Sequence, residues 1–186
     1  RKCEQSGKQR QQTQYGYGNR QFENTDSLFL KKRRVIDKGN TEVVAEYIKE
    51  MTGADGVRIM PDKEYEKIQD YDELVELTRI EHENDERPTF NGKINDICKY
   101  DTIFIGSPIW WYTFPQVMYT FLDSYDLNGK TIIPFTTHEG SGLADVVEVL
   151  RKYYPNATVA EGLAIRGRDA VKSKEKVVRW LEKTGF

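Results

Sequence analysis

Three short stretches carry the residue types that hold a ligand: Gly39-Asn40-Thr41, Gly106 to Pro115, and Thr136 to Gly142. Gly39-Asn40-Thr41 precedes a helical pattern. Free backbone N–H groups and the helix dipole there favour a phosphate, and Thr41 adds a hydroxyl. The second stretch reads Gly-Ser-Pro-Ile-Trp-Trp-Tyr-Thr-Phe-Pro and sets Trp110, Trp111 and Tyr112 side by side on a small-residue turn. Three adjacent aromatics cannot all enter one core. At least one must face outward, and an outward indole is a stacking surface for a flat ring. In the third stretch Gly140, Ser141 and Gly142 allow backbone donors to approach a ligand closely, and His138 can hydrogen-bond or titrate near neutral pH. Each stretch also has a plainer reading: a helix start, packing against a neighbouring subunit, and an ordinary loop histidine.

The elements that must position these stretches alternate along the chain. Thr102 to Ile105 is short, apolar and β-branched, the pattern of a strand covered on both faces, and it stops at Gly106-Ser107-Pro108. Thr131 to Phe135 repeats the pattern, and further strands are expected at 56–60 and near 157–160. A strand over Leu28 to Ile36 fits less easily, because Lys31-Lys32-Arg33-Arg34 interrupts its apolar residues. Asn40 or Thr41 can cap a helix with apolar positions Val43, Val44, Tyr47, Ile48 and Met51, and Gly53 lies just past its end. Other helices are expected at 71–84, with Leu74, Leu77 and Ile80 on one face, and at 117–125, 143–154 and 169–183. Ile94, Ile97 and Cys98 form an amphipathic turn. Strand and helix in alternation predict an α/β fold with a parallel sheet and helices on both faces. Ligands then bind at the carboxyl ends of the strands, where the three stretches fall.

Composition narrows the class. With 186 residues, 38% apolar and 31% charged, the chain is most simply one domain, without any run near the ~18 apolar residues of a membrane span. Residues 1–34 hold nine Lys or Arg against three Asp or Glu, +6, and the remainder nineteen against twenty-seven, −8. An acidic body disfavours specific nucleic acid as its ligand. Residues 1–26, rich in Gln, Gly and Asn, read as a disordered or atypical tail, and 27–186 as the folded domain. Cys3 and Cys98 have no metal-ligand spacing and suggest no disulfide framework; Cys98 reads as a small core residue. A cytoplasmic location is expected, and an exported form trimmed ahead of Arg1 stays open. Glu81-His82-Glu83 reads as a solvated helix surface, Tyr65 and Tyr71 as ordinary amphipathic positions. No Ser-His-Asp set or carboxylate pair, and no metal site, is expected.

Taken together, Gly106 to Trp111 with Pro115, and Pro134 to Gly142, resemble the Gly-x-Pro-x-Trp-Trp and Thr-His-x-Gly-Ser-Gly loops of short-chain flavodoxins in the flavodoxin-like superfamily. The resemblance runs from about Val35 to Phe186. It implies a three-layer, doubly wound, five-stranded parallel sheet in order 2-1-3-4-5, with non-covalent FMN. By the same resemblance Gly39, Asn40 and Thr41 hold the phosphate. Pro108, Ile109, Trp110, Trp111, Tyr112 and Thr113 line one side of the isoalloxazine, and Thr137, His138, Gly140, Ser141 and Gly142 the other. The implied activity is electron transfer through the flavin, with a redox partner protein or a small-molecule donor or acceptor and an unspecified oligomeric state. Two alternatives stand beside it: an FMN-dependent NAD(P)H or quinone reductase, and a flavin-free degenerate domain. The second arises because the sequence upstream of Gly39 lacks the hydroxyl-bearing end of the family's first strand; Lys38 and Arg34 are the cations that could offset the loss.

Overall fold

The computed structural model describes residues 38–186, apart from 69, 92, 93 and 95. The strand expected over Leu28 to Ile36, the tail before it and Arg34 lie outside the described residues. Along the described chain run α1 (Asn40–Thr52), β1 (Met60–Pro61), α2 (Tyr71–Glu83), β2 (Phe90–Asn91), β3 (Thr102–Pro108), α3 (Gln116–Ser124), β4 (Thr131–His138), α4 (Val146–Tyr153), β5 (Thr158–Val159), β6 (Leu163–Arg166) and α5 (Lys174–Thr184).

The sheet is parallel and centred on β4. Strand β3 pairs along one side of β4 from Thr102↔Thr131 to Pro108↔Thr137. On the other side β4 pairs first with β5 and then with β6, ending at His138↔Arg166. Period-two alternation divides the side chains between two layers. Ile105 and Ile132 face α3 and α4, packing with Val117, Phe121, Leu122, Val146 and Leu150. Ile133, Phe135, Leu163 and Ile165 face α1 and α5, packing with Val44, Ile48, Val177, Trp180 and Leu181. Gly106 is required by this packing. Opposite it in register, the Phe135 ring crosses the strand so closely that a Cβ on Gly106 would lie 2.0 Å from Phe135 Cζ.

The α/β architecture with a parallel sheet agrees with the sequence reading, whereas several element details do not. Among the described residues the sheet has the four strands β3 to β6, and the order 2-1-3-4-5 is not seen. Residues 56–59 are irregular; only Met60–Pro61 is extended, and it pairs antiparallel with Phe90–Asn91. The neighbour expected for a parallel strand at 56–60 belongs to the segment outside the described residues. Strand β6 was not anticipated, because Leu163–Arg166, directly after Gly162, is only four residues long, too few for a periodic signal. Residues 167–172 form a 3-10 turn before α5, so the last helix starts at Lys174 rather than Asp169. Gly53 takes φ 69° and ends α1 as a left-handed cap.

Candidate functional site

Thr137, the penultimate residue of β4, joins the three stretches. Its hydroxyl lies 2.6 Å from Thr41 Oγ1 in the first turn of α1. Its carbonyl accepts a 3.2 Å bond from Ile109 N–H, just past the end of β3. Residues distant in sequence thus meet at one carboxyl edge of the sheet. In α1 the first intrahelical bond is Val43 N–H to Gly39 C=O. The N–H groups of Asn40, Thr41 and Glu42 precede it and have no intrahelical acceptor. Gly39 provides no side-chain cap, and a Cβ at that position would meet nothing within 4 Å. Lys38 is ion-paired to Glu46 at 2.5 Å.

After β3 the chain makes a two-residue turn. Trp110 and Thr113 exchange both backbone hydrogen bonds at 3.0 Å, with Trp111 at φ 53° and Tyr112 at φ 60° between them. Positive φ at both central residues defines a type I′ turn, a conformation that favours Asn and Gly. Two aromatic residues hold it at a cost of roughly 1–2 kcal/mol each. Tyr112, 60% exposed, is the outward ring at the tip. The indoles are engaged with neighbours: Trp111 Nε1 donates to Thr78 Oγ1 at 3.2 Å and its ring stacks on His82, while Trp110 meets the Tyr65 ring edge-on at 5.6 Å. Below the turn Thr113 Oγ1 lies 2.5 Å from the Tyr119 hydroxyl.

The neighbour that holds this turn is α2, with a buried face unlike the expected one. Thr78 and Glu81 are its buried residues, and Ile80 is exposed. Glu81, 1% exposed, accepts from Lys63 Nζ at 2.6 Å and from the Tyr65 hydroxyl at 3.0 Å. Burial and the adjacent carboxylate push the Tyr65 phenol well above its ordinary range. Next along the helix, His82 faces Gln116, itself bonded to Arg87. Burial holds the His82 imidazole below its usual pKa. Glu81 and His82 are therefore not a solvated surface, whereas Glu83 is exposed as expected. Their polarity concealed a buried network that hydrophobic periodicity cannot register. Cys98, expected in the core, is exposed on a 3-10 turn and is not a free thiol.

The third stretch bends away from the end of β4. Thr136 Oγ1 donates to Gly142 C=O at 2.9 Å, closing the loop on itself. Gly142 takes φ 65°, and side chains at either Gly140 or Gly142 would point into open space. His138 faces the opposite way to Thr137 and lies across from Arg166; burial first, and then the Arg166 charge, lower its pKa. Asp145 follows the loop, and burial raises its carboxyl despite a hydrogen bond from Thr113. The edge thus combines free helix N–H groups, hydroxyls, an exposed aromatic turn and an open glycine loop, a set that fits a phosphate-bearing ligand with a flat ring. Thr41, Pro108, Ile109 and Thr137 meet directly, with Gly39 and Asn40 leading into Thr41. Trp110, Trp111, Tyr112 and Thr113 form the turn beside them, and His138, Gly140, Ser141 and Gly142 the loop beyond. Among the described residues no group of three or more His, Cys, Asp or Glu could hold a metal, and no helix is long and apolar enough to cross a membrane.

Residues 35–184 match the family model for flavodoxin. Among solved structures the chain resembles a protein of Bacteroides eggerthii DSM 20697 classed provisionally as a flavoprotein. The two are 31% identical over 78% of this chain and 90% of that one, with a TM-score of 0.67. A second provisional flavoprotein, from Bacteroides uniformis ATCC 8492, is 30% identical over 76% and 90%, with a TM-score of 0.66. A flavoprotein from Lactobacillus acidophilus NCFM, solved in complex with FMN, shares the fold at 20% identity and a TM-score of 0.55 over 73% and 90%. No curated protein matches the chain.

Proposed function

The chain belongs to the flavodoxin family, and from that premise we propose that it binds FMN non-covalently at the carboxyl edge of β3 and β4 and transfers electrons through it. The observation that carries this reading is the junction at Thr137, which links the open first turn of α1 to the residues leading into the aromatic turn. In this reading the N–H groups of Asn40 and Thr41 and the Thr41 hydroxyl hold the phosphate, with Gly39 leaving room for it. The Pro108–Thr113 segment and the loop carrying Thr137, His138, Gly140, Ser141 and Gly142 line the two sides of the ring. The flavin supplies the redox chemistry, while the chain sets exposure, stacking and hydrogen bonding.

The five-strand order 2-1-3-4-5 belongs to the same proposal, with the first strand upstream of Lys38 and residues 27–186 as one domain. So do a cytoplasmic location and a redox partner or small-molecule donor. The acidic balance of residues 35–186, −8, suits docking to a basic partner surface.

The test is an absorption spectrum of the purified protein before and after mixing with FMN, followed by titration of flavin fluorescence. Oxidised-flavin bands with quenching at stoichiometric FMN are expected. A protein that remains colourless and leaves FMN fluorescence unchanged would establish the flavin-free alternative. Turnover of NAD(P)H with a quinone by the holo-protein would make it a reductase instead of a carrier.

A further inference from the structure

Across the end of β4 lies a recess of about 530 Å³ lined by His138, Arg166, Lys172, Lys176 and Asp169, with Ala164, Ile165 and Ser173. Three successive elements supply its cations: Arg166 ends β6, Lys172 ends the 3-10 turn, and Lys176 lies in the first turn of α5. Lys176 Nζ is anchored on Ala164 C=O at 2.8 Å. Arg166 and Lys172 have no ion-pair partner among the described residues, so no carboxylate other than that of Asp169 offsets the charge of the recess. His138 Nδ1 at the rim is shut off from solvent and has no hydrogen-bond partner.

Three cations against the single carboxylate of Asp169 leave the lining at +2, on a body whose balance is −8. Converging like charges are mutually repulsive and are stabilised by an anion placed between them. A guanidinium is suited to the paired oxygens of a phosphate, and His138 at the rim is close enough to report a charge bound there. We propose that this recess is an anion site for a phosphate group, separate from the site proposed for the FMN phosphate at α1. The +2 lining matches a phosphate dianion in charge, and the volume admits a phosphate with part of the molecule that bears it. The recess shares His138 with the wall proposed for the flavin, whereas Arg166 and Lys172 line the recess alone, so their substitution separates the two sites.

The chain has two histidines, His82 and His138, so ring 1H–15N NMR signals report the site directly, with His82→Gln assigning them. The protein is titrated with inorganic phosphate and with ADP, at one equivalent of FMN so that no free phosphate ester competes, and in about 0.15 M salt, which screens loose surface attraction. The expected result is a saturable shift of His138, with a raised pKa because a nearby anion favours the imidazolium, and an unmoved His82. Arg166→Gln with Lys172→Gln should weaken binding at least tenfold without altering FMN quenching. Tenfold tighter ADP than phosphate identifies a phosphate ester as the source; equal affinities identify free phosphate. No saturable His138 shift, or one that survives the double substitution, overturns the site. A protein that fails to quench FMN yet gives the His138 response overturns the flavin reading and leaves this one standing.

Discussion

Thr41 and Thr137 stand 96 residues apart in sequence, and their hydroxyl oxygens lie 2.6 Å apart at the carboxyl edge of the sheet. Thr137 is 5% exposed, so its hydroxyl has little access to water if Thr41 is removed. Thr41→Val should therefore cost about 1–2 kcal/mol of stability, and Thr41→Val with Thr137→Val less than the sum of the singles, since the pair is lost together. Urea unfolding of the three variants measures this. Additive losses would show that the two hydroxyls are energetically independent. In the proposed function Thr41→Val also weakens FMN by roughly tenfold, the loss of about one hydrogen bond.

Gly106 admits the Phe135 ring where a Cβ would lie 2.0 Å from Cζ. Phe135 is buried between β4 and the α1–α5 layer, so its ring can yield only by displacing that packing. Gly106→Ala should destabilise by about 1–3 kcal/mol through overpacking. Adding Phe135→Leu should recover part of that loss. Chemical denaturation of the single and double variants decides the matter, and a Gly106→Ala protein as stable as the parent would refute the close approach.

The core of this fold was legible because β3, β4 and α1 state their roles in residue type. Ile103 and Ile105, Ile132 and Ile133, Val44 and Ile48 fall on buried faces that alternation and helical spacing anticipate. That the three stretches fall beside one another at a strand edge was legible too, since each follows or precedes an element whose type the sequence states. What stayed hidden is polar burial. Glu81 is covered because Lys63 and Tyr65, 18 and 16 residues away, satisfy its carboxylate, and no local pattern encodes that partnership. The turn at Trp111–Tyr112 was equally opaque, because aromatic residues do not announce positive φ.

Glu81 offers a direct test of that buried network. Glu81→Ala removes the acceptor of Tyr65 and one of the two acceptors of Lys63, which keeps Glu86 at 3.1 Å, and leaves a cavity under α2. Lys63 is 41% exposed and can turn to water, whereas the half-buried Tyr65 hydroxyl loses its partner. The expected loss is about 1–3 kcal/mol. Glu81→Gln, which keeps shape and one acceptor, should lose less. Because Tyr65 packs edge-on against Trp110, tryptophan emission should shift in Glu81→Ala. Unchanged stability and emission would mean that the carboxylate is idle.

The two histidines give stability a pH dependence of definite sign. Burial lowers the pKa of both His82 and His138 below the unfolded value of about 6.5, so the unfolded chain binds protons first. Their contribution is fully present above that value and is lost as pH falls from it towards the lower folded values. Asp145 works in the other direction, because burial raises its folded pKa and acidification relieves the cost of its charge. Between pH 7.5 and 5.5 the histidines should dominate and Tm should fall. His82→Gln with His138→Gln should flatten that slope. A slope unchanged in the double variant would remove the histidines as its source.

Tyr112 separates stability from function. It occupies the second central position of a type I′ turn at φ 60° and is 60% exposed, so it gives up little packing and bears the cost of a left-handed conformation. Glycine at this position removes that strain of roughly 1–2 kcal/mol and adds up to about 1 kcal/mol of unfolded-chain entropy. Tyr112→Gly should therefore be neutral to stabilising by up to about 1 kcal/mol in urea unfolding. Strain kept where glycine would be more stable calls for another use of the side chain, and the proposed function supplies one: an exposed ring beside the flavin. The same variant should weaken FMN by about 1–3 kcal/mol, the scale of one aromatic stacking contact. Tyr112→Phe should bind as the parent does, because stacking needs the ring and not the hydroxyl. A Tyr112→Gly protein that unfolds more easily would remove the strain argument. One that keeps full FMN affinity would shift the stacking role to Trp110 or Trp111, the rings already braced by Tyr65 and His82.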